Sequence, residues 1–124
     1  MAARISEIVI DSLDPRRMAE FWCAVLDFVV LDEEDGLIEI GPETEGFGGL
    51  QPTIILMPSS APKTEKLRLH FDVNPTDRDQ DAELERLLAL GARRTDIGQG
   101  EDAHWYVLLD PEDNEFCLLR RRLS

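Results

Sequence analysis

Cysteine is scarce in this sequence, which holds only Cys23 and Cys117 among its 124 residues. Two cysteines are too few for a disulfide framework, so we expect reduced thiols and a cytoplasmic protein. Long apolar runs are missing as well, since the most hydrophobic stretch, residues 21–31, includes Asp27. A membrane span needs about 20 apolar residues. No basic segment followed by an apolar one opens the chain, so we expect neither a membrane partner nor a signal peptide.

Positively charged residues are also few. The 13 Lys and Arg residues stand against 26 Asp and Glu residues, which gives a net charge of −13. The resulting field repels phosphate, so we expect no nucleic-acid partner and no binding to anionic membranes. Residues 32–45 hold seven acids and no base, and we interpret this run as a solvated loop and sheet edge.

Several common enzyme signatures are absent: there is no G-x-x-x-x-G-K phosphate loop, no C-x-x-C pair and no Ser-His-Asp arrangement. The pattern that is present is a duplication, because the order strand–helix–strand–strand–strand occurs twice. The predicted strands are residues 5–10, 28–32, 37–40 and 53–57, and then 67–73, 92–95, 105–109 and 115–119. We therefore predict one α+β domain over residues 1–124, built from modules at 1–58 and 65–124.

Local signals place the two helices. Asp14 followed by Pro15 is typical of a helix start, and Asp27 falls where a left-handed residue ends a helix. In the second module, Thr76 and Asp79 have capping-box spacing, and Gly91 ends the helix. Each helix presents an apolar stripe that can cover one sheet face. The other sheet face is left free to curve into a cleft.

Residues spread over nearly the whole chain resemble the vicinal oxygen chelate superfamily, the glyoxalase/bleomycin-resistance/dioxygenase fold, and in particular its glyoxalase-like branch. The features that carry the resemblance are Asp14-Pro15, Phe21-Trp22, Val25 to Phe28, His70 to Val73, Leu90 to Ala92 and Asp110 to Phe116. Asp27 and Asp113 stand where the family usually has Gly. Asp adopts positive φ in turns, so both departures are compatible with the fold.

The resemblance implies paired βαβββ modules whose curved mixed sheets form a shared cleft, and a homodimer. By position it also implies metal ligands at Glu7, His70, Cys117 and a residue near Ile54 or Ile55. Strand alternation agrees for the first three, which lie on the faces opposite their apolar neighbours.

Two interpretations of these positions remain open. A carboxylate, an imidazole and a thiolate could hold Zn²⁺, and Fe, Mn and Ni are further candidates. However, metal-using members of the superfamily have His, Gln and Glu at these places, whereas a Cys between Phe116 and Leu118 is typical of a small buried hydrophobe. We therefore expect ligand binding without a metal, and a metal site is the alternative.

The same cleft offers groups for binding a small polar ligand. Arg68, His70 and Asp72 share one face of the predicted strand 67–73, and the alternative is that Arg68 and Asp72 pair with each other or with the other module. His70 is the candidate general base, since histidine titrates near neutral pH, and Glu7 is the second candidate.

Other candidate ligand contacts lie further along the chain. Trp105 is expected to face the cleft, and His104 is either a lid residue or an exposed loop histidine. The Gly-bearing segments 41–52 and 98–103 are the expected lids.

Three functions follow from these observations. The leading one is a metal-independent protein of the glyoxalase/bleomycin-resistance type that binds a small organic ligand. The second is a metal-dependent lyase, isomerase or dioxygenase that uses Glu7, His70 and Cys117. The third is a non-catalytic interaction or regulatory module, and the fold alone does not choose among the three.

Overall fold

The computed structural model describes residues 2–95 and 104–124. Contacts divide the chain into two compact units, Met1–Pro62 and Lys63–Ser124. The elements of the first unit are β1 (Glu7–Ser12), α1 (Pro15–Leu26), β2 (Val29–Glu34), β3 (Leu37–Gly41) and β4 (Thr53–Pro58). Those of the second are β5 (Phe71–Val73), α2 (Gln80–Leu90), β6 (Arg93–Arg94), β7 (Tyr106–Leu109) and β8 (Glu115–Leu118). The predicted α+β class is confirmed.

Both sheets have the same topology. The strand order is β1-β4-β3-β2 in the first unit and β5-β8-β7-β6 in the second. In each, the first and last strands pair in parallel and the other neighbours pair antiparallel. The predicted duplication of a βαβββ order is therefore confirmed at the level of strand pairing. That the two units form one domain around a shared cleft stays a prediction.

Helix α1 begins and ends as its sequence predicts. The Asp14 carboxylate accepts a hydrogen bond from the Arg17 amide at 3.1 Å, and Pro15 opens the helix. Asp27 ends it in the left-handed region with φ 57°. The apolar stripe is buried, and the rings of Phe21 and Trp22 meet edge to face with centroids 5.2 Å apart. Local capping and burial therefore favour the same helix.

Helix α2 differs from the prediction at its start. Asp79 is the N-cap and accepts a hydrogen bond from the Ala82 amide at 2.8 Å, so Thr76 is not the first member of a capping box. The reason is that residue 79 itself lies immediately before the first helical residue, where a carboxylate satisfies a free amide best. Gly91 ends the helix with φ 116°, as predicted.

The strand predicted for residues 67–73 is wrong in its first half. β5 starts only at Phe71, and Leu69, placed on the packing face by alternation, is 74% exposed. The physical reason lies in its partner: β8 has only four residues, and the carboxylate of its first residue, Glu115, accepts the Leu67 amide at 3.1 Å. At Leu67 the Glu115 side chain therefore accepts the amide hydrogen bond that a backbone carbonyl would accept in a strand pair. The other predicted strands agree with the structure within two residues at each end.

The two Asp residues that stand where the family usually has Gly have positive φ. Asp113, in the turn before β8, has φ 68°, so both Asp27 and Asp113 adopt the expected backbone conformation. Among the described residues, no helix is long and apolar enough to cross a membrane. The expected lid 98–103 lies outside the described residues.

Candidate ligand and metal site in the second unit

The parallel pairing of β5 with β8 brings three chemically active side chains together. Asp72 lies directly opposite Cys117 in the register, and His70 immediately precedes β5. One ligand atom from each of His70, Asp72 and Cys117 falls within 4.8 Å of the others. We call these three residues the polar cluster. Two of them were expected to meet as metal ligands, and the third, Asp72, was expected only as a substrate contact.

Within the polar cluster, the imidazole is oriented by the carboxylate. His70 Nε2 lies 3.2 Å from Asp72 Oδ1, and about half of each side chain is exposed. At this separation Nε2 can donate a hydrogen bond to the carboxylate, and Nδ1 is then a hydrogen-bond acceptor. The pair can therefore offer a ligand two kinds of hydrogen-bond acceptor, the ring nitrogen Nδ1 of His70 and the carboxylate oxygens of Asp72.

Cys117 is the buried member of the cluster, with only 8% of its surface exposed. Burial raises the pKa of its thiol, and the Asp72 carboxylate raises that pKa further through its charge and by accepting a hydrogen bond from the S–H. The positive charge of Lys66 acts in the opposite direction. The free protein therefore holds a protonated thiol at neutral pH, whereas a coordinated metal ion would displace that proton.

The donor set of the polar cluster fits a borderline-soft divalent cation. Imidazole nitrogen, carboxylate oxygen and thiolate sulfur are the groups that bind Zn²⁺, usually with bonds of about 2.0 to 2.3 Å. Mn²⁺ prefers oxygen donors, so a thiolate argues for Zn²⁺ over Mn²⁺ here. Side-chain rotation within the 4.8 Å cluster is needed to bring the three donors onto one ion.

A buried ion pair fixes the segment that leads into the cluster. Lys63 pairs with Glu115 and donates a second hydrogen bond to the Asp113 carbonyl at 2.7 Å. Burial tends to raise the pKa of the Glu115 carboxyl, but the hydrogen bonds from Lys63 and from the Leu67 amide, with the Lys63 charge, outweigh it and lower that pKa. The ionised Glu115 carboxylate accordingly holds the backbone at Leu67 in place, three positions before His70.

The expected row of Arg68, His70 and Asp72 on one strand face is not formed as such. Arg68 lies at a bend before β5 and is exposed, and it forms no ion pair with a described residue of the second unit. Asp72 pairs with His70 instead of Arg68. The expected Arg68–Asp72 pair was therefore wrong, because the strand is too short to align the two, and a pair with the other module stays a prediction.

His104 and Trp105 lie just before β7. The His104 carbonyl accepts a hydrogen bond from the Gln80 side chain at 3.0 Å, and its own side chain is exposed. Trp105 is 44% exposed, while the next residue, Tyr106, donates its hydroxyl to Asp81 at 2.8 Å. The expected ligand contacts of His104 and Trp105 stay predictions.

Glu7 belongs to the first unit. It occupies the exposed face of β1, opposite Thr53 in the parallel register with β4. Ile54, near the fourth implied ligand position, is buried. Its aliphatic side chain offers no donor, and the role of Glu7 as a ligand or base stays a prediction.

The first unit also contains an open cavity of about 350 Å³ between the start of α1 and the β2–β3 turn. It is lined by Asp14, Pro15, Arg16, Glu33, Glu34, Asp35, Gly36 and Ile38. Arg16 and Glu33 form an exposed ion pair at its rim. The acidic side chains are exposed, in keeping with a solvated edge.

The paired βαβββ order, with polar groups on a first and a last strand, defines the glyoxalase/bleomycin-resistance/dioxygenase class of α+β proteins. Residues 7–119 match the model of the glyoxalase-like domain family, and the chain belongs to that family. The resemblance found in the sequence is thereby confirmed. The comparison with curated proteins gave no match.

Solved structures share the fold at low sequence identity. A glyoxalase/bleomycin resistance protein/dioxygenase family enzyme from Burkholderia phytofirmans PsJN is 23% identical, with a TM-score of 0.68 over 94% of this chain and 97% of that one. The fosfomycin resistance protein FosX from Listeria monocytogenes is 16% identical, with a TM-score of 0.73 over 99% and 94%. The trypanothione-dependent glyoxalase I of Leishmania major is 15% identical, with a TM-score of 0.64 over 96% and 87%.

Proposed function

We propose that this protein binds a small organic ligand at the polar cluster and does so without a metal, as a member of the glyoxalase/bleomycin-resistance type. The observation that supports this most directly is the 3.2 Å contact between His70 and Asp72, two half-exposed polar groups beside the buried Cys117. An oriented imidazole with a neighbouring carboxylate can bind a ligand through several hydrogen bonds at once.

The proposal assigns further roles to residues around the cluster. Arg68, His104 and Trp105 are proposed ligand contacts, and His70 and Glu7 are the proposed acid–base groups if the ligand is also converted. We extend the proposal to a cytoplasmic homodimer, and the two free thiols agree with a reducing compartment. Light scattering should then give twice the chain mass of 14.1 kDa.

Ligand binding is tested by ¹H–¹⁵N correlation spectra of the protein titrated with a library of aromatic metabolites and antibiotics, including bleomycin. Binding at the polar cluster should shift the resonances of His70, Asp72 and Cys117, and Asp72→Asn should weaken it. Glu85→Gln is the matched control, since Glu85 is exposed on α2. A ligand that binds the Asp72→Asn variant unchanged would contradict the assigned site.

A second function, a zinc-dependent lyase, isomerase or dioxygenase, is favoured by one specific observation: the N, O and S donors of the cluster lie within 4.8 Å of one another. His70, Asp72 and Cys117 would hold the ion. When bound, such an ion polarises a carbonyl or hydroxyl oxygen of the substrate. His70 would then be occupied as a ligand, so the acid–base role would pass to Glu7.

The metal alternative is tested on protein purified without chelator. About one zinc per chain, lost in Cys117→Ser and retained in Cys23→Ser, would support it. Cobalt-loaded protein should also show thiolate-to-cobalt charge-transfer absorption that depends on Cys117 and not on Cys23. Absence of both signals in the wild-type protein would leave metal-independent binding as the function.

A further inference from the structure

Two positively charged residues, Lys66 and Arg68, precede the polar cluster closely in the chain. Lys66 and Arg68 are both exposed, and neither forms an ion pair with a described residue of the second unit. By contrast, Lys63, Arg86 and Arg93 of the same unit are each paired with a carboxylate. Arg94 and the arginines at 120–122 likewise form no ion pair with a described residue of the second unit, so what distinguishes Lys66 and Arg68 is their place shortly before His70 in the chain.

A hydrogen bond to β8 holds the backbone between these two cations. Leu67, which separates them, donates its amide to Glu115 at 3.1 Å, and Glu115 precedes the strand residues that pair with β5. Lys66 is near enough that its charge opposes the rise in the Cys117 pKa. The buried Lys63–Glu115 pair thus anchors a short basic segment beside His70.

We propose that Lys66 and Arg68 recognise an anionic head group, a carboxylate or a phosphate, on the small molecule bound at the polar cluster. The proposal rests on the proposed function and adds the ligand's chemical class. A guanidinium matches the two oxygens of such an acid with paired hydrogen bonds. Asp72 repels an anion placed directly on His70, so the acid lies toward Arg68 and an uncharged polar part of the ligand contacts His70.

Three probes of similar shape test the inference: benzoate, phenyl phosphate and the neutral benzamide. Each is titrated into the full chain at low and at high ionic strength, and the amide shifts of residues 66–72 and 117 are followed. We expect one or both acids to bind about tenfold more tightly than benzamide, and added salt to reduce that difference. The two acid arms distinguish a carboxylate from a phosphate ligand.

Arg68→Gln and Lys66→Gln should each remove most of the preference for the acid. Arg121→Gln is the matched control, because it removes the same charge from an exposed arginine of the C-terminal segment. Equal losses in all three variants would mean a general charge effect and would overturn the inference.

The remaining outcomes separate this inference from the proposed function. If benzamide binds as tightly as the acids and shifts His70 and Asp72, the anion preference is wrong and ligand binding at the cluster stands. If none of the three probes shifts these resonances while library ligands do, the anion preference again fails alone. If neither the probes nor the library shift them, both proposals fail.

Discussion

The two units share one strand order but distribute their stabilising contacts differently. In the first unit, β1 and β4 pair over six residues, and α1 buries five side chains, all of them apolar. In the second unit, β5 and β8 pair over three residues, and one of the three buried residues of α2 is Glu83. Apolar burial therefore dominates the first unit.

The second unit relies on polar anchors where its strands are short. The buried Asp110 accepts hydrogen bonds from the amides of Glu112 and Asn114 at 2.9 and 3.0 Å, which forms the turn before β8. Glu115 then holds Lys63 and Leu67. The comparison shows that the same strand order can be stabilised by long strand pairing with apolar burial or by side-chain hydrogen bonds. The second arrangement leaves the polar cluster partly exposed at the edge of its sheet.

The largest expected effect comes from the apolar contacts of the first unit. Trp22→Ala removes a side chain that is 1% exposed and packs against Phe21, so we expect a loss of about 3–5 kcal/mol in the free energy of unfolding. Chemical denaturation measures it. Leu50→Ala, at a residue 91% exposed, is the control and should change stability little. Similar losses for both variants would contradict the assignment of Trp22 to the core.

A polar anchor of the second unit should matter less than this core, but more than a surface pair. Glu115→Gln keeps a hydrogen-bond acceptor but removes the counter-charge of the largely buried Lys63 ammonium, and we expect a loss of about 2 kcal/mol, the scale of one hydrogen bond to a charged group. Arg16→Gln breaks the exposed pair with Glu33 in the first unit and should cost less than about 0.5 kcal/mol. Equal effects would remove the distinction between the two pairs.

The pH dependence of stability checks the same anchor. The folded state lowers the Glu115 pKa below its ordinary value of 4.5, so its contribution is present above that pH and is lost as the pH falls through the folded-state pKa. The wild-type protein should therefore lose stability in acid more steeply than Glu115→Gln. Parallel profiles for the two proteins below pH 4.5 would show that Glu115 is not the responsible carboxyl.

The smallest effect is expected at the helix ends, which offer a matched pair across the units. Asp27 and Gly91 both end a helix at positive φ. Asp27→Gly should stabilise the protein by a few tenths to about 1 kcal/mol, and Gly91→Ala should destabilise it by about 1 kcal/mol. Thermal and chemical denaturation give both values. Changes of the same sign would show that the two caps are not equivalent.

Much of the fold was predictable because its signals are local. Asp14 with Pro15, the positive φ at Asp27 and the end of α2 at Gly91 each depend on residues within one or two turns. The start of β5 was not predictable from alternation. Leu69 has the right residue type for a strand, but β8 is too short to pair with it.

The polar cluster was predicted in part. His70 and Cys117 were named as candidate ligands and Asp72 was expected to share a strand face with His70, but the place of Asp72 beside Cys117 was missed. The His-x-Asp spacing predicted that His70 and Asp72 lie close together, whereas the contact of Asp72 with Cys117 has no local signal because it depends on the register between β5 and β8. Lys66 carried no signal, since its nearness to Cys117 depends on the Glu115–Leu67 hydrogen bond.

The sequence by itself determined the duplicated element order, the helix ends and the residue types available for chemistry, because these follow from short-range periodicity and backbone preference. The tertiary structure alone decided which of those residues meet. Asp72 contacts Cys117 only because β5 and β8 pair in parallel at one register, and a shift of one residue would turn one of them to the opposite face.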